Sequence, residues 1–103
     1  MNNLENDNQK ENIVDDTIKE LCHLIMQSRD EKFLYDFFTC LFTKPELKDI
    51  ANRWLLVKEI DKGTTQREIA KKFGMSLCKI TLGSKELSKP ESAFRKMLDI
   101  NKQ

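Results

Sequence analysis

A chain of 103 residues and 12.1 kDa is the size of one small domain, which excludes a multidomain enzyme. It is 39% hydrophobic and 34% charged, enough for a modest core of the kind a second subunit completes, and three glycines and two prolines are too few for an all-β sandwich or barrel. The net charge of +1 conceals an asymmetry: residues 1–61 hold 8 basic and 13 acidic side chains, residues 62–103 hold 10 and 4, so the C-terminal part is the basic one.

No apolar run approaches the ~18–20 residues of a membrane span, and the polar stretch Met1 to Asn12 has no signal-peptide core, so no membrane partner and a cytoplasmic location are expected. Cys22, Cys40 and Cys78, widely spaced in a chain with one histidine, fit neither a disulfide framework nor a zinc site. They are expected to be reduced and mostly buried. Beyond the initial Met1, residues 1–12 hold one large apolar side chain, Leu4, and are expected to form a disordered arm. Residues 13–103 are then a single all-α domain of about six helices.

From Ile13, the positions Val14, Ile18, Leu21 and Ile25 step by four, three and four, one stripe of an amphipathic helix that breaks at Arg29 and Asp30. Phe33, Leu34, Phe37, Phe38, Leu41 and Phe42 repeat the rhythm in a second helix, as core. Thr43 caps a third, with Pro45 and Glu46 in its first turn and Leu47, Ile50, Trp54 and Val57 on one face, and Gly63 ends it. Thr64 or Thr65 caps a short helix from Gln66, with Glu68 completing a capping-box pattern, and Gly74 stops that helix. Ser76 caps the next, and Pro90 is expected to open a last helix carrying Phe94, Met97 and Leu98.

Two short helices joined by a glycine-containing turn of about three residues make residues 66–88 a helix-turn-helix. Ala70 allows close approach of the helices and Gly74 can take φ > 0. Between Lys62 and Lys89 there are seven basic and two acidic residues, which favours a polyanionic partner, double-stranded DNA. In such motifs the second helix presents its N-terminal residues to base edges. Leu77, Cys78, Lys79 and Thr81 are therefore candidate base contacts. Gln66 and Arg67 are candidates for phosphate or flanking bases, and Lys71, Lys72 and Lys85 for phosphates. No P-loop, nucleophile elbow or metal-ligand cluster is present, and the chain reads as a non-enzyme. Cys22 and His23, adjacent on a helix and so ~100° apart, do not converge on one metal. Trp54 lies the same angle from Arg53 and is expected to pack in the core.

The stretch from Leu41 to Leu87 resembles the tryptophan-responsive trp operon repressor family, through Thr43, Arg53, Gly63, Gln66-Arg67-Glu68-Ile69, Gly74, Ile80-Thr81, Gly83-Ser84 and Leu87. The resemblance implies an interlaced homodimer, an operator partner and a small-molecule corepressor, L-tryptophan or a related indole ligand, with no other cofactor. It implies that tryptophan sets the spacing of two reading heads. By the same resemblance, Arg53 stacks on the indole, the backbone near Cys40 and Phe42 receives the ammonium, Thr43 faces the carboxylate, and the ligand lies beside Gly83.

Two positions depart from the family pattern. Leu82 stands where the family has a second arginine, and Glu86 replaces a serine, so a cation is exchanged for an anion beside Gly83. The expectation is a weakened response to L-tryptophan, or a ligand less dependent on its carboxylate, unless Lys85 swings in to replace the guanidinium. The other functional class is a ligand-independent DNA-binding or protein-interaction module on the same scaffold.

Overall fold

A computed structural model describes the backbone of residues 3–103 and the side chains of residues 8–103. Among them are six α-helices, α1 (Asn3–Ser28), α2 (Glu31–Leu41), α3 (Lys44–Lys62), α4 (Gln66–Phe73), α5 (Leu77–Ser88) and α6 (Ala93–Asn101). The chain divides into two compact units, Met1–Phe42 and Thr43–Gln103, where the sequence reads residues 13–103 as one domain. The helix-turn-helix lies in the second unit. No helix of the described residues is long and apolar enough to cross a membrane.

In the first unit, the segment expected to be a disordered arm differs. Residues 1 and 2 lie outside the described residues, and from Asn3 the backbone is already helical. The stretch to Asn12 holds no glycine or proline, so a helix nucleated over the amphipathic part extends through it at one hydrogen bond per residue. Arg29, in the left-handed region at φ 50°, ends α1, and Asp30 caps α2 by accepting from the Phe33 N–H at 3.2 Å.

The phenylalanines of α2 do not form a buried core within this unit. Phe38 packs edge-on against Phe42 with ring centroids 5.8 Å apart, yet no residue of α2 is buried, and Phe33 remains 56% exposed. Cys22 and Cys40 are exposed too, as is Cys78 in the second unit, which corrects the expectation of buried thiols. The apolar stripes are placed as the periodicity predicts, but two helices alone leave one side of each stripe uncovered.

The second unit has a true core, organised on α3. Thr43 and Glu46 form a reciprocal capping box at its start: the Thr43 N–H donates to Glu46 Oε1 at 2.9 Å and Thr43 Oγ1 accepts from the Glu46 N–H at 3.3 Å. Gly63, at φ 88°, ends the helix with its N–H on the Glu59 and Ile60 carbonyls. Adjacent residues of α3 face different neighbours. Leu56 packs with Ile69 of α4 and Ile80 of α5, whereas Val57 packs with Leu87 of α5 and Leu98 of α6, and Ile60 touches both clusters. Trp54 is half-buried against the second cluster, so it packs as expected.

The approach of α3 to α5 is close at Gly83, where an added Cβ would lie 2.9 Å from Leu56 Cδ2. The last helix begins later than expected. Pro90 and Glu91 form a turn, with Glu91 at φ 56°, and Ser92 is the cap, its hydroxyl accepting from the Arg95 N–H at 3.5 Å. Proline disfavours an α conformation at the residue before it, so Lys89 is extended at ψ 144°, and the next helix starts only at Ala93.

Two acids at the end of α3 hold its neighbours. Glu59, 8% exposed, accepts from Thr64 Oγ1 at 2.7 Å and from Lys72 Nζ of α4 at 3.2 Å. Asp61 meets Arg95 Nη1 of α6 and Lys102 Nζ, each at 2.7 Å. The Thr64 hydroxyl and then Lys72 hold the Glu59 carboxyl below its usual range, and Lys102 and then Arg95 do the same for Asp61.

Both carboxyls therefore titrate lower in the folded chain than in the unfolded one, so the unfolded chain binds more protons as acid is added. Their contribution to stability is complete above the ordinary carboxylate range and is lost as pH falls through the lowered values. Thermal melting of the full chain is expected to show a falling midpoint below about pH 4. Glu59→Gln should make that dependence shallower. At the helix crossing, Gly83→Val should destabilise by about 1–3 kcal/mol through overpacking against Leu56, measured by urea unfolding.

Candidate functional site

The reading head is assembled by short-range capping and one shared apolar contact. Thr65 Oγ1 accepts from the Glu68 N–H at 3.2 Å to start α4, without the reciprocal Glu68 contact of a full capping box. Gly74 takes φ 64° in the turn, and Ser76 Oγ accepts from the Lys79 N–H at 3.3 Å to start α5. Ile69 and Ile80, both fully buried, lock the two helices together over Leu56.

All nine candidate DNA-contact residues are exposed: Gln66, Arg67, Lys71 and Lys72 on α4, and Leu77, Cys78, Lys79, Thr81 and Lys85 on α5. They are not equally available. Lys72 is engaged by Glu59 and lies 5.3 Å from the centroid of the Phe73 ring, contacts that tie it to the protein. The Thr81 hydroxyl donates to the Leu77 carbonyl at 2.9 Å, within its own helix. Arg67, Lys71 and Lys85 make none of the ion pairs found among the described residues.

Behind α5 lies a cavity of about 690 Å³. One wall is α5, through Lys79, Leu82, Gly83 and Glu86; the facing wall is α3, through Lys48, Asp49, Asn52, Arg53 and Leu56. Each set follows i, i+3, i+4, i+7 spacing, with Lys48 beside the α3 row, so each wall is one helix face. Val57, Phe73, Met75 and Phe94 supply apolar surface.

Four of the seven residues expected at a corepressor site therefore line one cavity: Arg53, Leu82, Gly83 and Glu86. Thr43 does not line it, and its hydroxyl oxygen is used as the α3 cap. Cys40 and Phe42 belong to the other compact unit. Glu86 is already paired, with Lys89 Nζ at 2.7 Å. Lys85 is absent from the lining, because it is one residue from Glu86 and so ~100° around α5.

The sequence reading missed Lys48, Asp49, Asn52 and Phe94, and it placed Lys79 on the DNA side alone. The signal available was the helical period: Asp49 lies four residues before Arg53, and Asn52 lies three after Asp49 and four before Leu56. Phe94 arrives from α6, which local spacing does not reveal. Among the described residues no group of acidic, histidine and cysteine side chains converges as a metal site.

The family description "Trp repressor protein" matches residues 16–102. A Trp operon repressor homolog from Chlamydia trachomatis serovar L2 is 38% identical over 76 residues, 73% of this chain and 81% of the relative. A homolog of the same name from Chlamydia caviae is 36% identical over 80 residues, 77% of this chain and 76% of the relative. Another, from Xylella fastidiosa strain M23, is 35% identical over 71 residues, 68% of this chain and 73% of the relative. No solved structure matches at the same stringency. The matched region begins within α1 and takes in nearly all of the remaining chain, including the reading head and both walls of the cavity, and this protein belongs to the Trp repressor family.

Proposed function

We propose that this protein is a homodimeric repressor that binds double-stranded operator DNA through α4 and α5 and is gated by L-tryptophan or a related indole ligand in the cavity between α3 and α5. The observation that carries this reading is that α5 is at once the helix of the reading head and one wall of the cavity. A ligand filling that space acts directly on the element that would enter the major groove, and its binding energy is coupled to DNA affinity.

The charge of the outer surface supports the DNA reading. Arg67, Lys71 and Lys85 project from α4 and α5 without internal partners among the described residues, and such cations displace the counterions condensed on a duplex. The first unit supports the dimer. Ile13, Val14, Ile18, Leu24, Phe33 and Tyr35 of α1 and α2 are each at least half exposed, more apolar surface than a lone monomer ordinarily leaves in water. A second copy that covers it also supplies the second reading head, one helical turn of ~34 Å along the DNA.

Electrophoretic mobility of a selected DNA pool, with and without L-tryptophan, tests the function directly. Retarded, sequence-restricted DNA whose retention responds to the amino acid is the expected result; sequence-restricted binding indifferent to it would favour a ligand-independent DNA binder, and no retention under either condition an interaction module. Light scattering should give twice 12.1 kDa at micromolar concentration, and a clean monomer would refute the dimer. Lys71→Ala and Lys85→Ala should each weaken binding to all sequences alike and reduce the slope of log affinity against log salt by about 1. Lys72→Ala should leave that slope nearly unchanged and act on folding stability.

A further inference from the structure

The α5 wall of the cavity carries Leu82 at the place where the family pattern has an arginine, and one cation on that same wall lines the cavity. Lys79 lies three residues before Leu82, on the same face of the helix, and lines the same cavity. It makes none of the ion pairs found among the described residues, whereas Glu86, four residues beyond Leu82 on that face, is held by Lys89. Lys85 does not reach the cavity lining. Three basic side chains, Lys48, Arg53 and Lys79, line the cavity against two acidic ones, Asp49 and Glu86, so the space favours a ligand with a negative group.

We propose, on the reading that this cavity takes an indole ligand, that Lys79 is the specificity residue that binds the ligand's carboxylate in place of the guanidinium absent at position 82. Its backbone sits in the first turn of α5, where the helix dipole also favours an anion. The lysine stem is long enough to lie along the Leu82 side chain and present its ammonium over the cavity, the way basic side chains cover apolar surface. Glu86, on the same face, is occupied by Lys89, so the charge left for a ligand on the α5 wall is that of Lys79. The cavity thus selects an indole that carries a carboxylate over an indole amine. Lys79 is then drawn inward by the ligand, and Leu77 and Cys78 are left as the residues of the first α5 turn that face bases.

Calorimetric titration of the full-length protein with L-tryptophan, tryptamine and indole-3-propionate tests this, using the unmodified chain, Lys79→Met, Lys79→Arg and Lys48→Met. The unmodified protein is expected to bind L-tryptophan at least tenfold more tightly than tryptamine. Lys79→Met should lower L-tryptophan affinity ten- to a hundredfold while leaving tryptamine unchanged, Lys79→Arg should keep the preference, and Leu82→Arg should restore it in the Lys79→Met background. The side chain is exposed, so these variants fold, which their melting curves check. Lys79→Met that weakens both amines equally, or neither, overturns the assignment alone, as does a selective loss in Lys48→Met instead. If the unmodified protein binds none of the three ligands, the indole reading of the cavity fails and takes this assignment with it.

Discussion

The contact between Leu56 and Gly83 sets the geometry on which the second unit depends. With no side chain at position 83, α5 settles against α3 until Leu56 Cδ2 stands 2.9 Å from where a Cβ would be. That crossing brings Ile80 onto Leu56 on one side and Leu87 onto Val57 on the other, so both core clusters are consequences of it. It also fixes the separation of the two cavity walls. Gly83 also lines the cavity, and its first role is to let the two helices meet.

Charge is sorted around this core. Among the ten basic residues of 62–103, Lys62, Lys72, Lys89, Arg95 and Lys102 are engaged in ion pairs with Glu59, Glu86 and Asp61. Most of these pairs join exposed ends of long side chains and add little each, but Glu59 and Asp61 are well covered and join α4 and α6 to α3. The cations outside these pairs fall chiefly on α4 and α5. The basic half of the sequence is thus two populations, one that fastens helices and one that faces outward or into the cavity.

The two units contrast in how far they satisfy their apolar faces. Thr43–Gln103 buries Leu56, Val57, Ile69, Ile80 and Leu98 almost completely, whereas α2 buries nothing. A helix face patterned for burial and left in water loses the transfer free energy that its sequence was suited to gain, roughly 1.5–3 kcal/mol for each large side chain. The first unit carries the pattern of a core without the partner surface, and the second carries a core that needs none.

By itself the sequence determined what depends on neighbours along the chain. The caps at Thr43, Thr65 and Ser76, the left-handed stops at Gly63 and Gly74, the amphipathic stripes and the helix-turn-helix all rest on bonds or periodicities within a few residues, and all stand where the residues put them. Local signals were weaker guides at Pro90, where the helix waits for the Ser92 cap, and at Asn3–Asn12, where a scarcity of apolar residues does not stop a helix already running. Tertiary structure decided which side chains are committed. Lys72 and Lys71 look alike in the sequence, and only the fold brings Glu59, thirteen residues away, to one of them. Arg95 meets Asp61 across 34 residues, and Phe94 comes from α6 to a cavity walled chiefly by α3, α5 and the turn before α5. The face of Lys79 that looks into that cavity was equally hidden, because a helical period specifies which residues share a side and leaves open what that side will be packed against.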